Sequence, residues 1–91
     1  MRNPPTVIDT VYLLARVRLE PEPGGVGGGP CWIWLRAKSG DGYGHTGARD
    51  APECRAHRLA WHLWRGAIPD GMELDHLCRV WHCCNPWHLA P

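Results

Sequence analysis

Residues 75–89 read Asp-His-Leu-Cys-Arg-Val-Trp-His-Cys-Cys-Asn-Pro-Trp-His-Leu, and no other stretch constrains the chain as strongly. Cys78, Cys83 and His88 stand at even five-residue intervals. Thiolates and an imidazole at that spacing suit a tetrahedral zinc site. Asp75 and His76, just upstream, form the kind of pair that activates water beside a second metal. The bland alternative is that the cysteines are merely buried hydrophobes; regular spacing with a histidine weighs against it. A fourth ligand is needed, and the rivals are Cys31 and Cys54 upstream and His82 and Cys84 locally. In an extended segment Cys84 points away from its neighbour Cys83, and His82 is displaced to that side as well.

Size makes a staple useful. The chain has 91 residues, and a domain of this length buries only about 60% of its unfolded surface. Hydrophobic residues make up 44%, but they include six Trp and no Phe, while eleven Gly and nine Pro imply short elements joined by turns. The tryptophans are read first as core and second as platforms for stacking bases. Five cysteines are an odd number for a disulfide framework, and residues 1–5 hold no apolar signal core. No apolar run approaches the ~20 residues of a membrane span. A reducing, cytoplasmic setting with metal-bound thiolates is expected. Net charge is only +1, but nine of the ten cations are Arg, and residues 36–65 carry six basic against three acidic side chains. Arginine forks onto phosphate and guanine edges, although GC-rich codon usage favours it too.

Along the chain, Thr6-Val7-Ile8-Asp9 resembles a capping box, and helical spacing continues through Leu19, predicting one amphipathic helix that ends before Pro21. Residues 1–23 form this helical segment, 24–30 a Gly/Pro linker in which nothing packs, and 31–91 the main domain. The linker glycines lack the Lys-Ser/Thr that a phosphate loop requires. Residues 31–35 alternate like a strand with 42–46 as hairpin partner. His57–Arg65 reads as a short helix stopped by Gly66. Residues 72–76 read as a strand delivering His76 to its end, its ring facing open solvent, and 78–85 as a zinc-clamped loop.

These motifs resemble the His-Cys box and HNH endonucleases, whose active site is the ββα-metal or His-Me finger. His76 occupies the place of that family's general base, and Asn85, Pro86, His88 and Leu89 match its Asn-Pro-x-His-Leu element. Residues 56–61 with 66–71, and Cys31-Trp32-Ile33-Trp34 with Gly42-Tyr43-Gly44, are similar to the segments preceding the box in phage-type HNH proteins. The resemblance spans residues 31–90. It implies a small α+β zinc-bound finger and favours Cys31 as the upstream ligand, beside Cys78, Cys83 and His88. It further implies a metal-dependent DNA endonuclease of phage or mobile-element origin, placed in the host cytoplasm. His76 would take a proton from water, and Asp75 would hold a catalytic Mg²⁺ or Mn²⁺. Arg58 would contact phosphate or lie with His57 on a wet helix face. Asn85 would orient His76 or only fix the turn before Pro86.

Family members continue past the box into a helix bearing a further metal ligand. This sequence stops two residues after Leu89, so the expectation is a finger lacking the C-terminal helix and weak in activity. Another segment, a homodimer mate or a different partner would then supply the ligand. The alternative is a non-catalytic zinc-stabilised DNA-binding or packaging-associated module. A zinc-bound protein-interaction domain is a third reading, which leaves His76 without a task.

Overall fold

Strand alternation in Cys31-Trp32-Ile33-Trp34 divides the interior in two. The computed structural model describes residues 7–38, 40–46 and 55–91. In chain order it contains α1 (Val7–Leu14), β1 (Val17–Glu20), β2 (Cys31–Trp34), α2 (Ala56–Arg65), β3 (Asp75–His76), a 3-10 turn (Pro86–His88) and β4 (Leu89–Ala90). One face of β2 sends Cys31 and Ile33 into a cluster with Cys78, Cys83 and Val80. The other sends Trp34 into a core with Leu13, Ala56, Leu59, Ala60 and Cys84, against which Trp32 also packs. A third cluster joins Trp61, Leu74 and Leu89. Four of the six tryptophans, Trp32, Trp34, Trp61 and Trp64, therefore belong to these clusters or pack against them, as the lack of Phe requires.

Two antiparallel strand pairs frame these clusters. β1 pairs with β2 in the register Val17↔Trp34 to Glu20↔Cys31. β3 pairs with β4, setting His76 opposite Leu89. The free edge of β2 is not left open. Trp34 N–H donates to the His82 carbonyl at 2.9 Å and Cys84 N–H to the Trp32 carbonyl at 2.8 Å, with an isolated bridge between Ile33 and Cys83. The segment around Cys83 thus acts as a third strand, and neighbouring Cys83 and Cys84 enter opposite clusters as extended backbone dictates.

α2 forms where small and apolar residues recur at helical spacing, burying Ala56, His57, Leu59, Ala60 and Trp61. Gly66, at φ +93°, ends it. Its last turn clamps the 3-10 turn. Arg65 donates to the Pro86 carbonyl at 3.1 Å, and its guanidinium lies 4.3 Å from the Trp61 ring centroid and 4.8 Å from that of Trp87.

Four expectations are corrected. The N-terminal helix stops at Leu14, and residues 17–20 are strand, because pairing with β2 outweighs the helical spacing of Leu19. Residues 31–35 consequently pair with 17–20 and not with 42–46, which form the isolated bridges Lys38↔Gly44 and His45↔Arg55. Residues 21–30 are then the loop of a β1–β2 hairpin, and they pack. Gly28, at φ +80°, lies so close to the 3-10 turn that a Cβ there would meet the Trp87 Cβ at 2.8 Å. The strand expected over 72–76 is confined to Asp75–His76. Thr6 of the expected capping box lies outside the described residues, as does Cys54. No helix among the described residues is long and apolar enough to cross a membrane.

Candidate metal centre and histidine pair

The β2 alternation, the 78–83 loop and the 3-10 turn bring four donors together. Donor atoms of Cys31, Cys78, Cys83 and His88 all lie within 4.8 Å of one another, and all four residues are buried. Each arrives for a local reason. Arg79 takes the left-handed backbone conformation, φ 60°, and Arg79 N–H donates to the His76 carbonyl, tightening the turn after Cys78. Asn85 caps the 3-10 turn: its Oδ1 accepts from Trp87 N–H at 2.9 Å, and Pro86 occupies the first position, where no N–H is required. That turn swings His88 back beneath Cys83.

The donor chemistry fits a divalent metal. His88 Nδ1 lies 3.6 Å from the sulfurs of both Cys31 and Cys83. Its other nitrogen, Nε2, is 2.8 Å from the Gly29 carbonyl and so carries the proton. The Nδ1 lone pair is thereby aimed at the thiols, the outer hydrogen bond that metal-ligating histidines commonly make. The Asn85 side-chain amide donates to the Gly28 carbonyl at 3.0 Å and to the Pro30 carbonyl at 2.7 Å, holding the hairpin loop over the centre. Asn85 N–H points at the Cys83 sulfur at 3.4 Å. Burial pushes the Cys83 thiol up to about 11 and raises that of Cys31 as well. Cys31 and Cys83, both raised by burial, give up their protons together only with a cation between them. The Cys3His set is compatible with zinc, whose structural sites are closed and four-coordinate.

A second group of rings lies against the back of this centre. His76 is fully buried, not turned to open solvent as the sequence reading expects. Its pairing with Leu89 on β4 turns it inward, and Tyr43, His57 and Trp81 surround it with ring centroids at 5.3, 4.7 and 5.9 Å. Tyr43 stacks on His57 at 5.1 Å with a 29° interplanar angle. His76 Nε2 is 2.8 Å from the Cys83 carbonyl and therefore donates to it, leaving Nδ1 with the lone pair. The Nδ1 atoms of His57 and His76 are buried without a hydrogen-bond partner; Trp61 Nε1, in the third cluster, is in the same condition. Burial drives His57 down to about 3 and lowers His76 too, the Cys83 carbonyl working against the latter shift. Both rings are neutral at pH 7.

His57 also lines a cavity of about 470 Å³ with Asp41, Tyr43, Arg55, Arg58, Glu73 and Leu74. Arg55 pairs with Asp41 at 3.2 Å, and Arg58 donates to the Met72 carbonyl at 3.4 Å. Asp75 is not among the lining residues. As the strand neighbour of His76 it faces outward, where its carboxylate pairs with Arg79 at 3.3 Å. The bonds of the Asn85 side chain run to Gly28, Pro30 and Trp87, the turn-fixing role, and not to His76 as the orienting role requires. Arg58 is half-buried on the cavity wall. Sequence reasoning left His57 undecided and did not single out Tyr43, Asp41 or Glu73. The Gly-Tyr-Gly motif was the available signal for Tyr43, whereas the two carboxylates carry none.

Comparison with known proteins agrees with this geometry. A family model described as HNH endonuclease matches residues 54–90. The uncharacterized gene 5.3 protein of enterobacteria phage T3 is 52% identical over 33 residues, which are 36% of this chain and 33% of the phage protein. The matched part thus spans about a third of that relative's length. No solved structure gives a significant match. The match to the HNH endonuclease family model falls on residues 54–90, the segment that supplies three of the four clustered donors.

Proposed function

We propose that this protein is a zinc-stabilised, metal-dependent DNA endonuclease in which His76 is the general base. The observation that carries the reading is the state of the His76 ring. Its Nε2–H is tied to the Cys83 carbonyl at 2.8 Å, and its Nδ1 lone pair has no partner, within a segment matching the HNH family. A neutral, oriented imidazole with one free nitrogen is suited to taking a proton from water. Cys31, Cys78, Cys83 and His88 hold the structural zinc, which braces the Cys83 carbonyl and, through it, His76. Arg58 and its cavity neighbour Arg55 supply positive charge for the phosphodiester. Asp75 is the oxygen donor assigned to Mg²⁺ or Mn²⁺, and such a cation, when bound, stabilises charge on the phosphate. Asn85 serves the centre by clamping residues 28–30 over it.

Nicking of supercoiled plasmid with Mg²⁺ or Mn²⁺, run beside His76→Ala, tests the reading. Removing a positioned base should slow cleavage by about 10²–10⁴-fold, with zinc content unchanged. One observation favours a second reading, a non-catalytic DNA-binding module: His76 is fully buried and Asp75 faces the other way. DNA binding without metal-dependent nicking would establish that module instead.

A further inference from the structure

The cavity beside α2 carries a further step, which rests on the nuclease reading above. Three of its lining residues, Arg55, His57 and Arg58, are the N-cap and first turn of α2. That turn holds no acidic residue, and the N-cap makes no side-chain cap bond. The positive end of the helix dipole, about half an elementary charge, therefore coincides with two guanidiniums in place of the acidic side chains that commonly offset it. An anion is what such an end attracts.

His57 supplies a second, independent sign of a ligand. The residue is only 5% exposed, yet it lines the cavity. Its Nδ1 is sealed without a partner, whereas Nε2 is not sealed and makes no hydrogen bond either. Nε2 is thus the polar edge that the ring offers to the cavity. Orphaned buried N–H groups are rarer than under-satisfied acceptors, so Nδ1 keeps the lone pair and the proton belongs on Nε2. The carboxylates on the wall set how much negative charge the cavity takes. Asp41 is paired with Arg55 at 3.2 Å. Glu73 has no ion-pair partner among the described residues. Two guanidiniums and two carboxylates balance formally, so the attraction left over comes from the helix end and the His57 N–H. That suits one negative charge and opposes a second.

We infer that this cavity seats a monoanionic phosphodiester and disfavours a dianionic phosphomonoester. His57 Nε2–H and Arg58 donate to the phosphate oxygens, and Glu73 opposes a second charge. His57 and Glu73 are then residues that position and select the substrate, separate from the general base. A phosphate inside a nucleic-acid strand carries one negative charge, whereas a terminal phosphate carries close to two above its second pKa of about 6. The cavity therefore favours positions within a strand over strand ends, the substrate class that an endonuclease needs.

Dimethyl phosphate and methyl phosphate, titrated at about pH 8 into the full, zinc-loaded chain, test this without any cleavage step. Nitrogen NMR should find the His57 proton on Nε2. Both probes should shift the backbone amides of residues 55–58, and dimethyl phosphate should bind more tightly. Arg58→Ala should weaken dimethyl phosphate by about tenfold, and His57→Phe, which keeps an aromatic ring against Tyr43, by about threefold. Glu73→Gln should tighten methyl phosphate by about threefold and dimethyl phosphate by less. A gain of binding cannot come from a variant that fails to fold. Tighter binding of methyl phosphate by the parent chain, a His57 proton on Nδ1, or no shift with either probe overturns the inference. Plasmid nicking that depends on His76, with neither probe bound, overturns the phosphate seat alone. Probes that bind as expected to a chain that never nicks plasmid support the seat and overturn the nuclease reading.

Discussion

His88 and His76 are tied down in the same way and kept in different company. Each ring donates Nε2–H to a backbone carbonyl at 2.8 Å, Gly29 for one and Cys83 for the other, and each is fully buried. What differs is the company of Nδ1. That of His88 meets two sulfurs at 3.6 Å, while that of His76 meets aromatic rings and no partner. A lone pair among thiols is placed as a metal ligand would be, and one without a partner is placed as the proposed base requires. The backbone carbonyl selects the tautomer in both places, and the neighbouring side chains determine the chemistry.

The contrast is broken most severely by removing the metal. Structural zinc contributes an apparent ~10–16 kcal/mol in small zinc domains, more than many domains hold in total stability. Chelation, or Cys83→Ser, should therefore unfold the protein, with far-UV circular dichroism as readout and about one zinc per chain in the untreated sample. A chelated chain with an unchanged spectrum would separate the fold from the Cys3His cluster.

Next in size is Asn85→Ala. It leaves the Gly28 and Pro30 carbonyls without their donor and removes the cap of the 3-10 turn. A loss of about 2–4 kcal/mol is expected in denaturant unfolding. Asn85→Asp keeps the cap but faces two carbonyls with a carboxylate, and should be no better. If either variant matches the parent, the 21–30 loop is not held as the hydrogen bonds require.

Acid sharpens the comparison from the His57–His76 side. His57 lies at about 3 when folded, because burial disfavours its cation, against an ordinary value of about 6.5. Above pH 6.5 neither state binds the proton and stability is unaffected. Between pH 6.5 and 3 the unfolded chain binds a proton that the folded one refuses. Stability then falls as pH falls, by about 1.4 kcal/mol per unit. His76, shifted the same way, adds to the slope. Urea titrations from pH 7 to 4 should give a shallower slope for His57→Phe than for wild type, and equal slopes would refute the buried neutral ring.

Asp75→Asn should have the smallest effect on stability. The Asp75–Arg79 pair is exposed, and such pairs contribute about 0–1 kcal/mol. A nicking rate that drops at constant stability would support Asp75 as the cation's donor; an unchanged rate would redirect attention to Asp41 and Glu73.

How far this was legible from residues alone varies with distance along the chain. The five-residue spacing of Cys78, Cys83 and His88 was readable because a short loop restricts where its own donors can go. Asn85-Pro86 was readable as a turn for the same reason. The opposite facing of Cys83 and Cys84 followed from extended backbone. Cys31 was reached through family resemblance, since spacing alone left Cys54 and others open. The hairpin was misread because helical spacing over residues 7–19 is a local signal, and pairing between 17–20 and 31–34 is a property of two segments at once.

By itself, the sequence determined the local donors of the Cys3His cluster, the turn that returns His88, the extent of α2 and the need for a staple in a chain poor in core residues. Tertiary structure alone decided which strand pairs with β2, that the Gly/Pro segment supplies carbonyls to Asn85 and His88, and that His57 lies against a buried His76. The physical reason is closure and register. Nearby residues are placed by backbone geometry, whereas residues 19 or 57 positions apart, like His57 and His76 or Cys31 and His88, meet only once packing has chosen one register from many.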